Sequence, residues 1–323
     1  MEAPQFIKRI GLTAVAQIIL SLRGLVTLPI LTKLLGPSVY GIWTQILVTV
    51  HLLLPFVQLG IPFALVRFLS SKEKKEIGQG VITSLAIIFL TGTIAALAVY
   101  FLSDSIAINL LKEESAATLM RVASLLIILE ALNATTLGTF RIFGQIKRYA
   151  FITILQTILE VGLISFSVLY GYNLIGVLVS LLVTRGLILL LMLYMIVSYA
   201  GLTSPDFSVL RPYLLYGLPL IPAAIFQFVI SSGDRYVIGF FMGAASVGIY
   251  SAAYNIAHFI LMFHNLIFYV LLPAIYSSYD RGLTGEAKNY LSSAWKYVPI
   301  ILIKYFNIII KTENIQCSSV PSY

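Results

Sequence analysis

What this chain has least of is charge and cysteine. Of 323 residues only 11% are Asp, Glu, Lys or Arg, while 59% are hydrophobic. A soluble domain carries roughly 25% charged residues. A water-facing surface cannot be built from so few, so lipid must be the main solvent. The single cysteine, Cys317, excludes an intrachain disulfide and any cysteine metal cluster. His258 and His264 lack the i, i+4 spacing of a helical zinc pair, so no metal site is predicted. There is no Gly-x-x-x-x-Gly-Lys phosphate loop and hence no ATP hydrolysis within the chain. No nucleophile–base set has a recognisable spacing, which argues against an enzyme, and nothing asks for a cofactor. The net charge of +8 would suit nucleic acid. The basic residues, however, lie between apolar runs rather than on one face, as the Lys/Arg bias of cytoplasmic loops would place them. Lys8 and Arg9 precede an apolar run too long for a signal-peptide core, so the first helix is expected to stay in the membrane.

What is present is a series of long apolar runs. A spanning helix needs roughly 20 apolar residues. On that measure an all-α polytopic membrane bundle of about nine segments is predicted, near 10–34, 41–66, 80–103, 116–140, 149–170, 174–199, 213–242, 246–276 and 290–310. Turn and charge signals separate them, among them Gly36-Pro37, Lys72 to Glu76, Lys147-Arg148 and Ser204-Pro205-Asp206. With the N-terminus in the cytoplasm, Lys8, Arg9, Arg67, Lys72, Lys74, Lys75, Arg141, Lys147, Arg148, Arg211, Arg281 and Lys288 fall inside, and Lys33 and Lys112 outside. That asymmetry predicts an N-in multi-pass protein of the cell membrane. The expected organisation is a six-helix N-terminal lobe over 1–200, a partial C-terminal lobe over 201–311 and a disordered tail over 312–323. The lysines Lys296, Lys304 and Lys311 leave open whether 290–310 spans or lies in the interface.

The stretch Leu35 to Thr44 returns as Met242 to Ser251. Gly36 and Gly243, and Gly41 and Gly248, are each 207 residues apart, followed by an isoleucine, an aromatic and a hydroxyl. Each copy closes one apolar run and opens the next. Six runs lie between the copies, so the two point the same way through the membrane. This is a parallel repeat, and two such lobes can rock about a central cavity.

These residues carry a resemblance. Leu34 to Gly41, Leu59-Gly60-Ile61-Pro62 with Arg67, Gly217 to Leu220, and Asp234-Arg235 followed by Gly243 to Tyr254 resemble the oligosaccharide flippases and polysaccharide-export proteins of the multidrug/oligosaccharidyl-lipid/polysaccharide exporter superfamily. The resemblance covers residues 5 to 299. It implies a two-lobed bundle of twelve or fourteen helices that carries lipid-pyrophosphate-linked sugars to the outer leaflet. Its partners would be membrane lipid, the lipid-linked glycan, and a glycan polymerase or glycosyltransferases. The family pattern continues for at least three more helices, whereas the residues after Pro299 do not look like that continuation, so a chain cut short in its second lobe is expected.

Arg23, Glu130, Glu160, Arg185, Asp234 and Arg235 fall within apolar runs. Each would cost about 2.5–3.5 kcal/mol at a helix centre, so they are expected to face the bundle interior or a wet cavity. Arginine meets phosphate oxygens bidentately and keeps its charge. Arg23 and Arg235, one per lobe, are therefore the first candidates for binding a pyrophosphate, with Arg185 third and Asp234 and Gln227 beside them. The bland alternative is internal pairing, Glu160 with Arg185 and Arg23 with Glu130; a proton or sodium site at one of the two glutamates is a lesser reading. Asp234 and Arg235 are adjacent and are expected to pair poorly with each other. Gln45, Gln58, Asn133 and similar amides suit either sugar hydroxyls or helix-to-helix hydrogen bonds. Pro29, Pro219 and Pro222 interrupt the lead helix of each lobe and are candidate hinges. Two competing readings stand beside the flippase: a cation-coupled drug exporter on the same scaffold, and a non-functional fragment.

Overall fold

The computed structural model describes residues 3–70, 72–201 and 203–280, with Gly285, Lys288 and Ser292 beyond them. Helix α1 runs Ala3–Gln58 and α2 Ile61–Leu69. Helix α3, Lys74–Phe101, is followed by a short α4, Ser103–Ser105, and a π turn. Then come α5 (Ala116–Ile142), α6 (Ile146–Leu169) and α7 (Asn173–Ala200). After a 3-10 turn, α8 (Leu210–Gly217) leads through a second 3-10 turn into α9 (Ile221–Asp280). There is no strand among the described residues.

Among the described residues, six helices are long and apolar enough to cross a membrane: Ile18–Gln58, Lys74–Phe101, Ala116–Ile142, Ile146–Leu169, Asn173–Ala200 and Phe207–Ala257. Eight of the nine expected segments fall on them in whole or in part, because the first and last are each two segments joined through a bend. The ninth, 290–310, and the expected tail fall outside the described residues. Large apolar side chains point outward, Phe101 at 76% and Leu169 at 72% exposure. A protein whose solvent is water does not leave such surface uncovered; acyl chains cover it here. The chain forms two compact units, Met1–Ala253 and Tyr254–Tyr323. The lobe boundary expected after residue 200 lies within the first, which holds every feature discussed below. Helices α1, α3, α5, α6 and α7 pack on one another there, around Ile46, Ile88, Ile127, Phe140, Ile152 and Val177. Threonine and serine hydroxyls along these helices return to the carbonyl one turn back, as at Thr49, Thr135 and Thr184. Their polarity is thus spent inside the helix.

Local chemistry sets the helix ends. At the charged turn before α3, Glu73 and Glu76 form a reciprocal capping box. The Asp206 carboxylate accepts from the Ser208 hydroxyl and backbone N–H, which holds its pKa below the usual range and opens the turn into α8.

The bends of α1 and α9 occur at Gly36 (φ 85, ψ 166) and Gly243 (φ 79, ψ 175). Only glycine adopts that backbone readily. The two copies of the sequence repeat therefore share one backbone shape at equivalent positions. They also meet. A methyl on Gly41 would overlap the carbonyl of Ala244, and one on Gly248 would overlap the carbonyl of Pro37. Pro37 and Ala244 are equivalent positions, as are Gly41 and Gly248, so the contact is reciprocal. Below it, Tyr236 donates to Thr49 at 3.0 Å, and Gln45 lies against Gly239. Towards the other end of the pair, Gly60 (φ 67) and Gly217 approach backbone to backbone. Gly41→Leu or Gly248→Leu should force this crossing apart. In the intact protein, a cysteine pair at Thr49 and Tyr236 should lose most of its cross-linking yield when either leucine is added. An unchanged yield would contradict the close approach.

Candidate functional site

Four long helices bring their interior charges together in one cluster. The Arg23 guanidinium on α1 donates from Nη1 to both carboxylate oxygens of Glu160 on α6, at 3.0 and 2.9 Å. On α7, Arg185 donates from Nη1 to Glu160 at 2.9 Å and from Nε to Glu130 on α5 at 2.7 Å. The Asn133 amide, one turn along α5, donates to the Arg185 carbonyl at 3.0 Å. Arg185 and Glu160 are buried. Two arginines thus face two glutamates, and Glu160 bridges both. Pairing is what a low-dielectric interior demands, since an isolated charge there is costly to desolvate.

The expected Glu160–Arg185 pair forms. The Arg23–Glu130 pair does not. Glu130 is taken by Arg185 from α7, while α1 packs against α6 and brings Arg23 to Glu160. Among the described residues, every hydrogen bond of the Arg23 guanidinium uses Nη1. Nε and Nη2 remain available, on a side chain that is 32% exposed.

Arg235 presents a different picture. It is buried; its Nη1 bonds the Ser231 carbonyl at 3.1 Å and lies 3.8 Å from the Asp234 carboxylate. The guanidinium folds back along its own helix, and at that separation the two adjacent charges make a loose pair. Asp234 also accepts from the hydroxyl of Tyr250, on the arm beyond Gly243, and from the backbone N–H of Arg235. Gln227 is exposed. Pro29 sits inside a helix that continues through it, the bend coming at Gly36. Pro219 lies in the 3-10 turn and Pro222 in the first turn of α9, where a missing N–H costs little. Of His258, His264 and Asn265, the side chains lie outside the described residues.

His51 on α1 is a member that sequence reasoning missed. It lies within electrostatic reach of Glu130, Arg23 and Arg185. Its signal was a titratable ring inside the apolar run 41–66, seven residues before Gln58 on the same helix face. Arg121 was also passed over. It is held by Asp104 at 2.7 Å and so adds no net charge to its end of the bundle.

Comparison with known proteins fits this architecture. A family model described as polysaccharide biosynthesis protein matches residues 6–278. The chain belongs to that family. No curated protein matches the chain significantly. Among solved structures, it is similar to the MATE multidrug transporter DinF-BH, solved in complex with a ligand, at 14% identity and TM-score 0.71, covering 99% of this chain and 76% of that one. A MATE family multidrug resistance transporter of the MOP superfamily, in an outward-facing conformation, matches at 19% identity and TM-score 0.58, covering 83% and 69%. A MOP superfamily transporter from Pyrococcus furiosus, with a binding pocket described as of reverse polarity, matches at 17% identity and TM-score 0.58, covering 92% and 74%. Family and fold together make the chain a polytopic membrane protein of this superfamily's architecture.

Removing one partner of a buried ion pair costs about 3–5 kcal/mol, because the other charge is left uncompensated. Arg185→Met takes from Glu130 its hydrogen-bonded arginine, whereas Arg23→Met leaves Glu160 bonded to Arg185. Thermal unfolding in detergent should show a large fall in Tm for Arg185→Met and a clearly smaller one for Arg23→Met. Equal falls would mean that the two arginines are not arranged hierarchically.

Proposed function

We propose that this protein is a flippase, not an enzyme, and moves a polyprenyl-pyrophosphate-linked oligosaccharide across the cytoplasmic membrane for cell-surface polysaccharide synthesis. Its N-terminus is cytoplasmic. The observation that carries the reading is Arg23, anchored by one nitrogen to Glu160 while two nitrogens of a partly exposed guanidinium remain to grip a phosphate. Family membership supports it from the side of biology: the matching model is one of polysaccharide biosynthesis. The lipid tail stays in hydrocarbon while the glycan passes between the lobes, so a glycan polymerase and glycosyltransferases are the natural neighbours. The glycine bends at Gly36 and Gly243 and the broken turn around Pro219 and Pro222 supply the flexible points. Arg185 contributes as the anchor that holds Glu160 in place. Arg235 bonds the Ser231 carbonyl and Asp234 accepts from Tyr250, and both stay candidate contacts for the cargo beside Arg23.

A multidrug exporter is the second reading, favoured by the drug-transporting relatives that share the fold. Such a site would use a carboxylate to attract a cation. Here Glu130 and Glu160 are already neutralised by arginines, which also leaves little charge for a coupling proton or sodium ion.

The test is complementation of a flippase-deficient strain, with surface glycan measured against the amount of protein in the membrane. Arg23→Ala should reduce export at least tenfold at unchanged protein level. Arg23→Lys should fall between, since lysine keeps the charge but not the bidentate geometry. Wild-type export from Arg23→Ala would remove the cargo role.

A further inference from the structure

A cavity of about 220 Å³ lies where the end of α1, the start of α2, α5 and the first turn of α9 converge, lined in part by Gln58, Phe63, Ala134, Leu220 and Ala224. Gln58 donates its amide to the Ala131 carbonyl at 3.3 Å, and the rest of the lining is apolar. Pockets that enclose a whole small molecule measure about 300–1,000 Å³, so this one is sized for a segment of something larger.

Two features join it to the charge cluster. Ala134 stands one helical turn from Glu130 on the same face of α5. It is exposed while its neighbours Asn133 and Thr135 are buried, because it opens onto the cavity. On α1, His51 beside the cluster and Gln58 in the cavity wall are two turns apart, again on one face. The cavity thus extends the cluster along matching faces of two helices. On its outer side Phe63 is 55% exposed, on surface that the bilayer covers.

We propose that this cavity is the seat for the first part of the carrier lipid's hydrocarbon stem, next to the phosphate held by Arg23. The inference rests on the flippase reading and adds a place for the tail. An anionic head against a guanidinium with two unspent donors, and an apolar stem in the adjoining cavity, together describe one amphiphile. The cavity selects for molecules that carry both parts, and so for a lipid-linked glycan over a free sugar phosphate.

The intact protein in phosphatidylcholine nanodiscs tests this with two probes, inorganic pyrophosphate and farnesyl pyrophosphate, each corrected for binding to empty nanodiscs. Wild-type protein should bind the farnesyl compound at least tenfold more tightly. Ala134→Leu and Ala224→Leu, on different helices, should each remove roughly tenfold of that preference, the effect of about two buried CH₂ groups lost. Pyrophosphate binding should stay within twofold. The proposal is overturned if farnesyl pyrophosphate binds no more tightly than pyrophosphate, or if both leucine variants keep the full preference. It is also overturned if adding phosphatidylglycerol to the nanodisc abolishes the preference, since ordinary bilayer lipid would then be the occupant. If Arg23→Ala leaves pyrophosphate binding intact while the leucine variants still act, the head-group reading fails and the tail site stands.

Discussion

Charge inside a hydrocarbon slab has to be answered by charge, and in this protein the answer is Arg185. Its Nε and Nη1 hold two carboxylates from two other helices, and its backbone carbonyl takes a bond from Asn133. Three helices are thereby tied at one level, and Arg23 joins a fourth through the glutamate that Arg185 positions. A buried pair of this kind adds little to stability over an apolar core. What it fixes is arrangement: which helices are neighbours, and how far each is rotated. The two arginines thus differ in how completely the cluster engages them. Arg185 is buried and holds two carboxylates, whereas Arg23 is partly exposed and holds one.

The second constraint is backbone closeness. Where the two repeat copies cross, Gly41 faces the Ala244 carbonyl and Gly248 faces the carbonyl of Pro37, the position equivalent to Ala244. Lipid offers no hydrophobic drive between helices, so packing of small residues and hydrogen bonds must hold them. The crossing uses both, with Gly41 and Gly248 above and the Thr49–Tyr236 bond below. Duplicated sequence thus becomes a reciprocal contact.

Much of this architecture could be read before any coordinates. Hydrophobic run length and loop charge are coarse signals of bulk solvent preference, and the long apolar helices follow from them. The bends were legible because Gly36 and Gly243 repeat in a matched context. Partner choice was not. Whether Arg23 meets Glu130 or Glu160 depends on the rotation of α1 against α5 and α6, which apolar runs do not encode; a helix that is hydrophobic all round carries no phase. His51 escaped notice for the same reason, since one ring in a long apolar run has no sequence partner to mark it.

The central claim is that the interior accepts an anionic amphiphile rather than a cation. Flux in proteoliposomes made from the intact protein addresses it most directly, comparing a labelled polyprenyl-pyrophosphate oligosaccharide with a cationic rhodamine dye. The account predicts saturable transfer of the lipid-linked glycan, blocked by excess pyrophosphate, and dye flux no greater than in empty liposomes. Rapid dye transfer with no movement of the glycan lipid would contradict it.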